Sequence, residues 1–157
     1  MFNVRVYGIF INDQQQILLS DEIIRGKFYT KFPGGGLEKG EGTRECLVRE
    51  FKEEMYAQIK VREHFYTTDF YQQSAFNADD QIISIYYKVI ILSDITHRLQ
   101  QPHYNNTASD SSLSLADSES FRFINLDELT TENVSLPIDK VVVSLLLKEK
   151  NNLKRIK

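Results

Sequence analysis

Residues 33–57 read PGGGLEKGEGTRECLVREFKEEMYA, a glycine-rich turn running into an acidic amphipathic pattern, and the fold is decided there. Pro33-Gly34-Gly35-Gly36 reads as a loop in which bare backbone can approach a ligand. From Thr43 to Met55 the apolar residues Leu47, Val48, Phe51 and Met55 fall at helical spacing, with Gly42 or Thr43 placed to cap the first turn. At about 100° per residue, Glu50, Glu53 and Glu54 share roughly 100° of helix surface beside the face of Leu47, Phe51 and Met55. One face packs, and its neighbour presents acid.

Like charges at i, i+3 and i+4 destabilise an isolated helix by roughly 0.2–0.5 kcal/mol per pair, so something cationic should sit over them. Mg²⁺ or Mn²⁺ fits, because hard divalent ions take carboxylate and carbonyl oxygens and bridge to substrate phosphates. The chain has neither the paired Cys nor the clustered His that zinc would suggest. Arg49 falls beside Glu45 and Glu53, at i−4 and i+4, in a supporting role that neutralises and orients carboxylates. The ordinary alternative is a solvated acidic face, as most Glu runs are. The longer spacing argues against it: Gly35 is followed after five residues by Glu41, after seven more by Arg49-Glu50, and after two by Glu53-Glu54. With each residue type at about 6% frequency, six such matches arise by chance with probability on the order of 10⁻⁵.

This spacing resembles the Nudix box. The motif covers Gly35 to Ala57, and the coarse element order is similar over nearly the whole chain. The resemblance implies an α/β (α+β) fold, an α/β/α sandwich around a mixed β-sheet. It also implies hydrolysis of a pyrophosphate bond in a nucleoside diphosphate linked to another moiety, such as a nucleoside triphosphate or ADP-ribose, by attack of an activated water on phosphorus. Glu50, Glu53 and Glu54 would then be the catalytic acids and ion ligands, with the Gly34 carbonyl and Glu41 as further ligands. A base often comes from a distant loop, and Asp117 and Glu119 are the candidates because they precede the strand pattern at Phe121–Ile124. One position departs from the family: Tyr56 stands where glycine permits a left-handed helix end, a conformation costing other residues roughly 1–2 kcal/mol. A different helix exit, or a ring used in packing, is expected there. The same fold can also bind a nucleotide or ADP-ribose-like ligand as a non-catalytic sensor, but every acid of the box is kept, which favours the enzyme.

For substrate contacts the candidates are the amides of Gly35 and Gly36 for phosphate oxygens, with Arg25, Lys27 and Lys31 as cations. Phe28, Tyr29 and Phe32 could stack on a base, although strand alternation buries such residues as readily. A solvated surface is the ordinary reading of the three cations. His64, His97 and His103 show no interpretable spacing.

At 157 residues, 41% hydrophobic and 26% charged, the chain has the size and composition of one globular domain spanning 1–157. A net charge of −3 gives no field to draw it to nucleic acid or an anionic membrane, so the partner expected is a small nucleotide-type molecule. No stretch approaches the ~20 apolar residues of a membrane span, and Met1–Asn12 lacks the pattern of a signal peptide, which points to the cytoplasm. Cys46 reads as a small buried side chain. Homodimers are common in general and in the family.

Along the rest of the chain, alternation from Val4 to Phe10, the turn residues Asn12-Asp13 and the run Ile17-Leu18-Leu19 predict an opening hairpin. Ile59–Tyr71 and Ile82–Leu92 predict adjacent antiparallel strands. Residues 93–118, rich in Ser, Asn, Asp and Gln, read as a flexible insertion. Pro137 opens a helix through Val141, Leu145 and Leu146 to about Glu149, followed by a frayed basic tail from Asn151.

Overall fold

The computed structural model describes residues 1–99 and 119–157. Its elements are β1 (Phe2–Ile9), β2 (Gln16–Ile24), β3 (Lys27–Lys31), β4 (Gly34–Gly36), α1 (Thr43–Met55), β5 (Ile59–Thr67), β6 (Gln81–Ile91), β7 (Glu119–Asn125) and α2 (Pro137–Ile156). Short 3-10 turns lie at Thr96–Arg98 and Thr131–Asn133.

Strand alternation builds two cores. On β1 the side chains of Tyr7 and Ile9 pack on one side and Val6 on the other; on β2, Ile17 and Leu19 oppose Leu18. The Val6 side meets Cys46, Leu47, Phe51 and Met55 of α1, while the Tyr7 side meets Ile138, Val142, Val143 and Leu146 of α2. Helix, sheet and helix therefore stack as layers, the sandwich anticipated from the resemblance. Phe51 is fully enclosed, and truncating such a residue to alanine costs about 3–5 kcal/mol.

The strands form two sheets. The first, in order β4-β1-β6-β5, is mixed, because β1 runs parallel to β6 and antiparallel to β4. The second, β3-β2-β7, is antiparallel throughout. The expected pairing of β5 with β6 is present and antiparallel. The opening hairpin exists only at its tip, where Leu18 N–H donates to the Phe10 carbonyl at 3.0 Å; beyond it β1 and β2 diverge into different sheets.

Three further expectations need correction. Gly34–Gly36 is an edge strand rather than a loop, because Leu37 N–H donates to Val4 O and Gly8 N–H to Pro33 O, drawing the glycines into the ladder with β1. Val48 is exposed. Helix α2 continues to Ile156: its last turns hold good helix formers, and Lys150 donates to Asp127 at 2.5 Å, tying the tail to the body. Of the expected insertion, Ser93–Leu99 is docked, with Ile95 buried, while 100–118, including Asp117 and His103, lies outside the described residues. No helix among the described residues is long and apolar enough to cross a membrane.

Candidate active site

The glycine strand sets the floor of the site. Bonds from residues 33 and 37 to β1 fix the ladder's phase, so Gly35 shares it and the peptide groups of Gly34 and Gly36 face away from β1. The Gly36 carbonyl accordingly accepts from Arg49 at 3.0 Å. Gly34 has φ +143°, and a Cβ there would lie 2.1 Å from the Val6 carbonyl oxygen. A Cβ on Gly35 would lie 2.3 Å from the Glu50 carboxylate, so only glycine lets Glu50 rest against the strand.

Arg49 gathers the acids. Its guanidinium donates to both oxygens of Glu41, at 2.9 and 2.7 Å, and to Glu50 at 2.9 Å and Glu53 at 3.2 Å. Glu45, expected beside it, instead accepts from the Gly42 N–H at 2.7 Å and closes the helix start. Hydrogen bonds from Arg49, aided by the Glu38 N–H, hold Glu41 down to about 2. Glu41 takes two of the hydrogen bonds that Arg49 donates and so orients that guanidinium, which also holds Glu50 and Glu53. Nearby Cys46 is pushed up to about 12, first by burial, and is an inert thiol.

Glu54 is the anomaly. Its Oε2 is buried without a hydrogen-bond partner, and it faces Glu119, which begins β7. Burial first, and the facing Glu119 carboxyl second, push Glu54 up to about 9. Glu119 itself accepts from Ser20 at 2.7 Å. Lys31, a candidate phosphate contact whose ordinary reading is a solvated cation, is buried and pairs with Glu22 at 3.1 Å; burial opposes its charge, but Tyr7, Glu22, Glu119 and Glu54 outweigh burial and keep it protonated. Among the described residues, no three acidic, His or Cys side chains enclose an ion as they stand. Two of the acids, Glu50 and Glu53, are turned onto Arg49. The donor set nevertheless suits a hard divalent cation: carboxylates crowded against like charge, one oxygen orphaned, and an outward-facing Gly34 peptide.

Beyond Lys31 lies a cavity of about 250 Å³. Its walls include Arg5, Tyr7, Glu22, Tyr29, Lys31, Phe76, Tyr86 and Asp139. Tyr29 and Phe76 meet edge to face at 5.4 Å, one from β3 and one from the loop before β6. Asp139 is fully buried; its Oδ1 accepts from Tyr86 OH at 2.5 Å, while Oδ2 has no partner. Burial pushes it up to about 6 against the lowering effect of Tyr86 and Lys31.

Two expected contacts fall elsewhere. Phe32 is a core residue, edge-on to Tyr86 at 5.7 Å, and does not line the cavity. Arg25 sits at a positive φ in the exposed β2–β3 turn and donates to the Phe76 carbonyl at 2.8 Å, bracing a loop rather than facing the cavity. Gly35 and Gly36 lie beside Glu50 and Arg49 as described. Sequence reading passed over Asp139, although a signal existed: with Val142, Val143 and Leu146 it occupies i, i+3, i+4 and i+7, an acid on a buried stripe.

A family model described as NUDIX domain matches residues 1–144. No curated protein matches the sequence. Among solved structures, the Escherichia coli ORF135 protein superposes with a TM-score of 0.68 at 18% identity, covering 95% of this chain and 91% of that one. A NUDIX hydrolase from Nitrosomonas europaea gives 0.67 at 19%, covering 96% and 91%. A MutT NUDIX hydrolase from Burkholderia pseudomallei gives 0.67 at 15%, covering 92% and 98%. At these identities the likeness is one of fold.

Proposed function

The chain belongs to the NUDIX domain family, and from that premise we propose that it hydrolyses a nucleoside diphosphate derivative with Mg²⁺ or Mn²⁺ bound at Glu50, Glu53, Glu54, Glu119 and the Gly34 carbonyl. Family membership carries hydrolysis of phosphoric anhydrides in general; the ion and the substrate are our reading. One observation carries it: the orphaned Glu54 Oε2, packed against a second acid beside the glycine strand. Nothing in an ordinary solvated helix face would bury a carboxyl against its like.

A divalent ion there supplies positive charge to the diphosphate and lowers the pKa of the attacking water. Arg49 holds Glu50 and Glu53 in register for that ion and, through Glu41, is itself held. Gly35 lets Glu50 reach the strand floor. As the water's oxygen attacks phosphorus its proton is released to solvent on the exposed side of Glu53, and the bridging P–O bond breaks. Lys31 stands between the acids and the cavity, where its buried charge meets the phosphate end of a ligand whose flat heterocycle enters the cavity alongside Tyr29 and Phe76. Asp139 Oδ2 then accepts an N–H of that ring.

The test is a panel of nucleoside triphosphates, ADP-ribose, dinucleoside polyphosphates and nucleotide sugars, assayed for phosphate-containing products with Mg²⁺ or Mn²⁺, with Glu53→Gln alongside. Cleavage that needs the ion and disappears in the variant is the expected result. Tight binding without turnover across the panel would overturn the enzyme reading in favour of a sensor.

A further inference from the structure

Helix α1 ends at Met55, and its last carbonyls need donors from elsewhere. The N–H that would continue the helix to the Glu54 carbonyl belongs to Gln58, and it is diverted to Ser93 Oγ at 2.9 Å. Arg98 takes its place, with Nε donating to Glu54 O at 2.9 Å. The other arm of the same guanidinium reaches the main-chain carbonyl of Glu119, Nη2 to O at 3.5 Å. The plane lies over the ring of Phe121, 5.6 Å from its centroid, and Phe121 is fully buried.

Residues 93–99 thus form a strap from the end of β6, across the exit of α1, to the start of β7. Ile95 anchors it in the core, Asp94 accepts from the Thr96 N–H at 2.8 Å, and Leu99 bridges to Phe121 in parallel. The two residues whose carbonyls Arg98 grips are the two whose carboxyls face each other. Its charge sits on the main-chain side, so unlike Arg49 it does not occupy the acid oxygens. Ion binding needs both carboxyls ionised, and ionised they repel; a guanidinium fork spanning both backbones resists their separation, as a point-charge lysine does not.

We propose that Arg98 is a positioning residue that sets the separation of Glu54 and Glu119 by gripping their main-chain carbonyls, and thereby sets the affinity of the site for a divalent cation. The inference rests on the assignment of those two acids to the ion.

The experiment is calorimetric titration of Mn²⁺ into the full chain, free of nucleotide, for the wild type, Arg98→Lys and Arg98→Ala, with a thermal melt of each without ion. Arg98→Lys keeps the charge and is expected to melt as a folded protein, so it remains informative if Arg98→Ala does not fold. Both folded variants are expected to bind Mn²⁺ about tenfold more weakly, with kcat reduced and nucleotide KM unchanged. Wild-type Mn²⁺ affinity in a folded Arg98→Lys would overturn the clamp alone. Failure of the wild type to bind Mn²⁺ would overturn the assignment of the acids.

Discussion

Two carboxylate oxygens among the described residues are buried without a hydrogen-bond partner, Glu54 Oε2 and Asp139 Oδ2, and they differ in the balance of charge around them. Glu54 faces Glu119 with Glu50 near, and Lys31 is the cation it feels, so acid outweighs base around it. Asp139 receives a hydrogen bond from Tyr86 and feels the cations Lys31 and Arg5. The first has less positive charge than its acids call for, and a divalent ion supplies the rest. The second already has charge compensation and lacks only a donor, which a neutral N–H supplies. An orphaned acid therefore does not by itself announce a metal; the balance of charge around it decides between ion and ligand.

Neutralising each acid in turn separates the two roles. Since charge stabilisation by an ion is worth several kcal/mol, Glu54→Gln is expected to lower kcat on the order of 10³-fold in steady-state assays, with KM little changed. A comparable loss confined to KM would reverse the assignment. Asp139→Asn keeps the size and the Tyr86 contact but offers a donor where an acceptor is needed, so KM for the preferred base should rise about tenfold, an unpaired buried polar group costing roughly 1–3 kcal/mol. Equal kcat/KM in that variant, measured across the same nucleotide panel, would remove Asp139 from base contact.

Acid–base behaviour sharpens the contrast further. Each group binds its proton more tightly in the folded chain than in the unfolded one, so its contribution to stability is complete at low pH and lost as pH rises through the folded value. That contribution drains away between the ordinary carboxylate value and the folded one, so for Asp139 it is gone above about 6 and for Glu54 above about 9. Urea midpoints of the ion-free protein should fall continuously from about pH 4, more steeply below about 6; Asp139→Asn should remove the extra slope below 6 and Glu54→Gln the fall above it. Midpoints indifferent to pH, or slopes indifferent to the variants, would contradict this.

The smallest effect concerns the helix exit. Tyr56 adopts φ 54° and its N–H donates to Lys52 O at 3.1 Å, so the left-handed exit that glycine would make is made by tyrosine, contrary to the sequence expectation. Its ring is exposed and packs little. Tyr56→Gly should therefore relieve left-handed strain and stabilise the chain by about 0.5–1 kcal/mol, read as a rise of a few degrees in Tm with unchanged activity. A fall in Tm would mean that the ring's contact with His97 outweighs the strain.

What the sequence made legible follows the distance over which each feature is written. The acids of α1 lie within five residues of one another, so helical periodicity alone places them on one face, and the box spacing ties them to Gly35. Glu119 was reachable only as a polar residue before a strand, and its meeting with Glu54 depends on β7 pairing with β2. Asp139 needs Tyr86 from β6 and Lys31 from β3 to acquire its meaning, and no local pattern carries that. The partners of Arg49 show the same limit: helical spacing suggested Glu45, whereas the guanidinium turns back across the glycine strand to Glu41. The two-sheet division escaped because the β1–β2 connection looks like a hairpin locally, and only the pairing of β1 with β6 pulls its strands apart.

Titration of Mn²⁺ into the wild type, Glu54→Gln and Asp139→Asn tests the central distinction most directly. Binding is expected in the wild type and in Asp139→Asn, with affinity lowered at least about tenfold in Glu54→Gln alone. Equal binding by all three, or loss in Asp139→Asn, would contradict it.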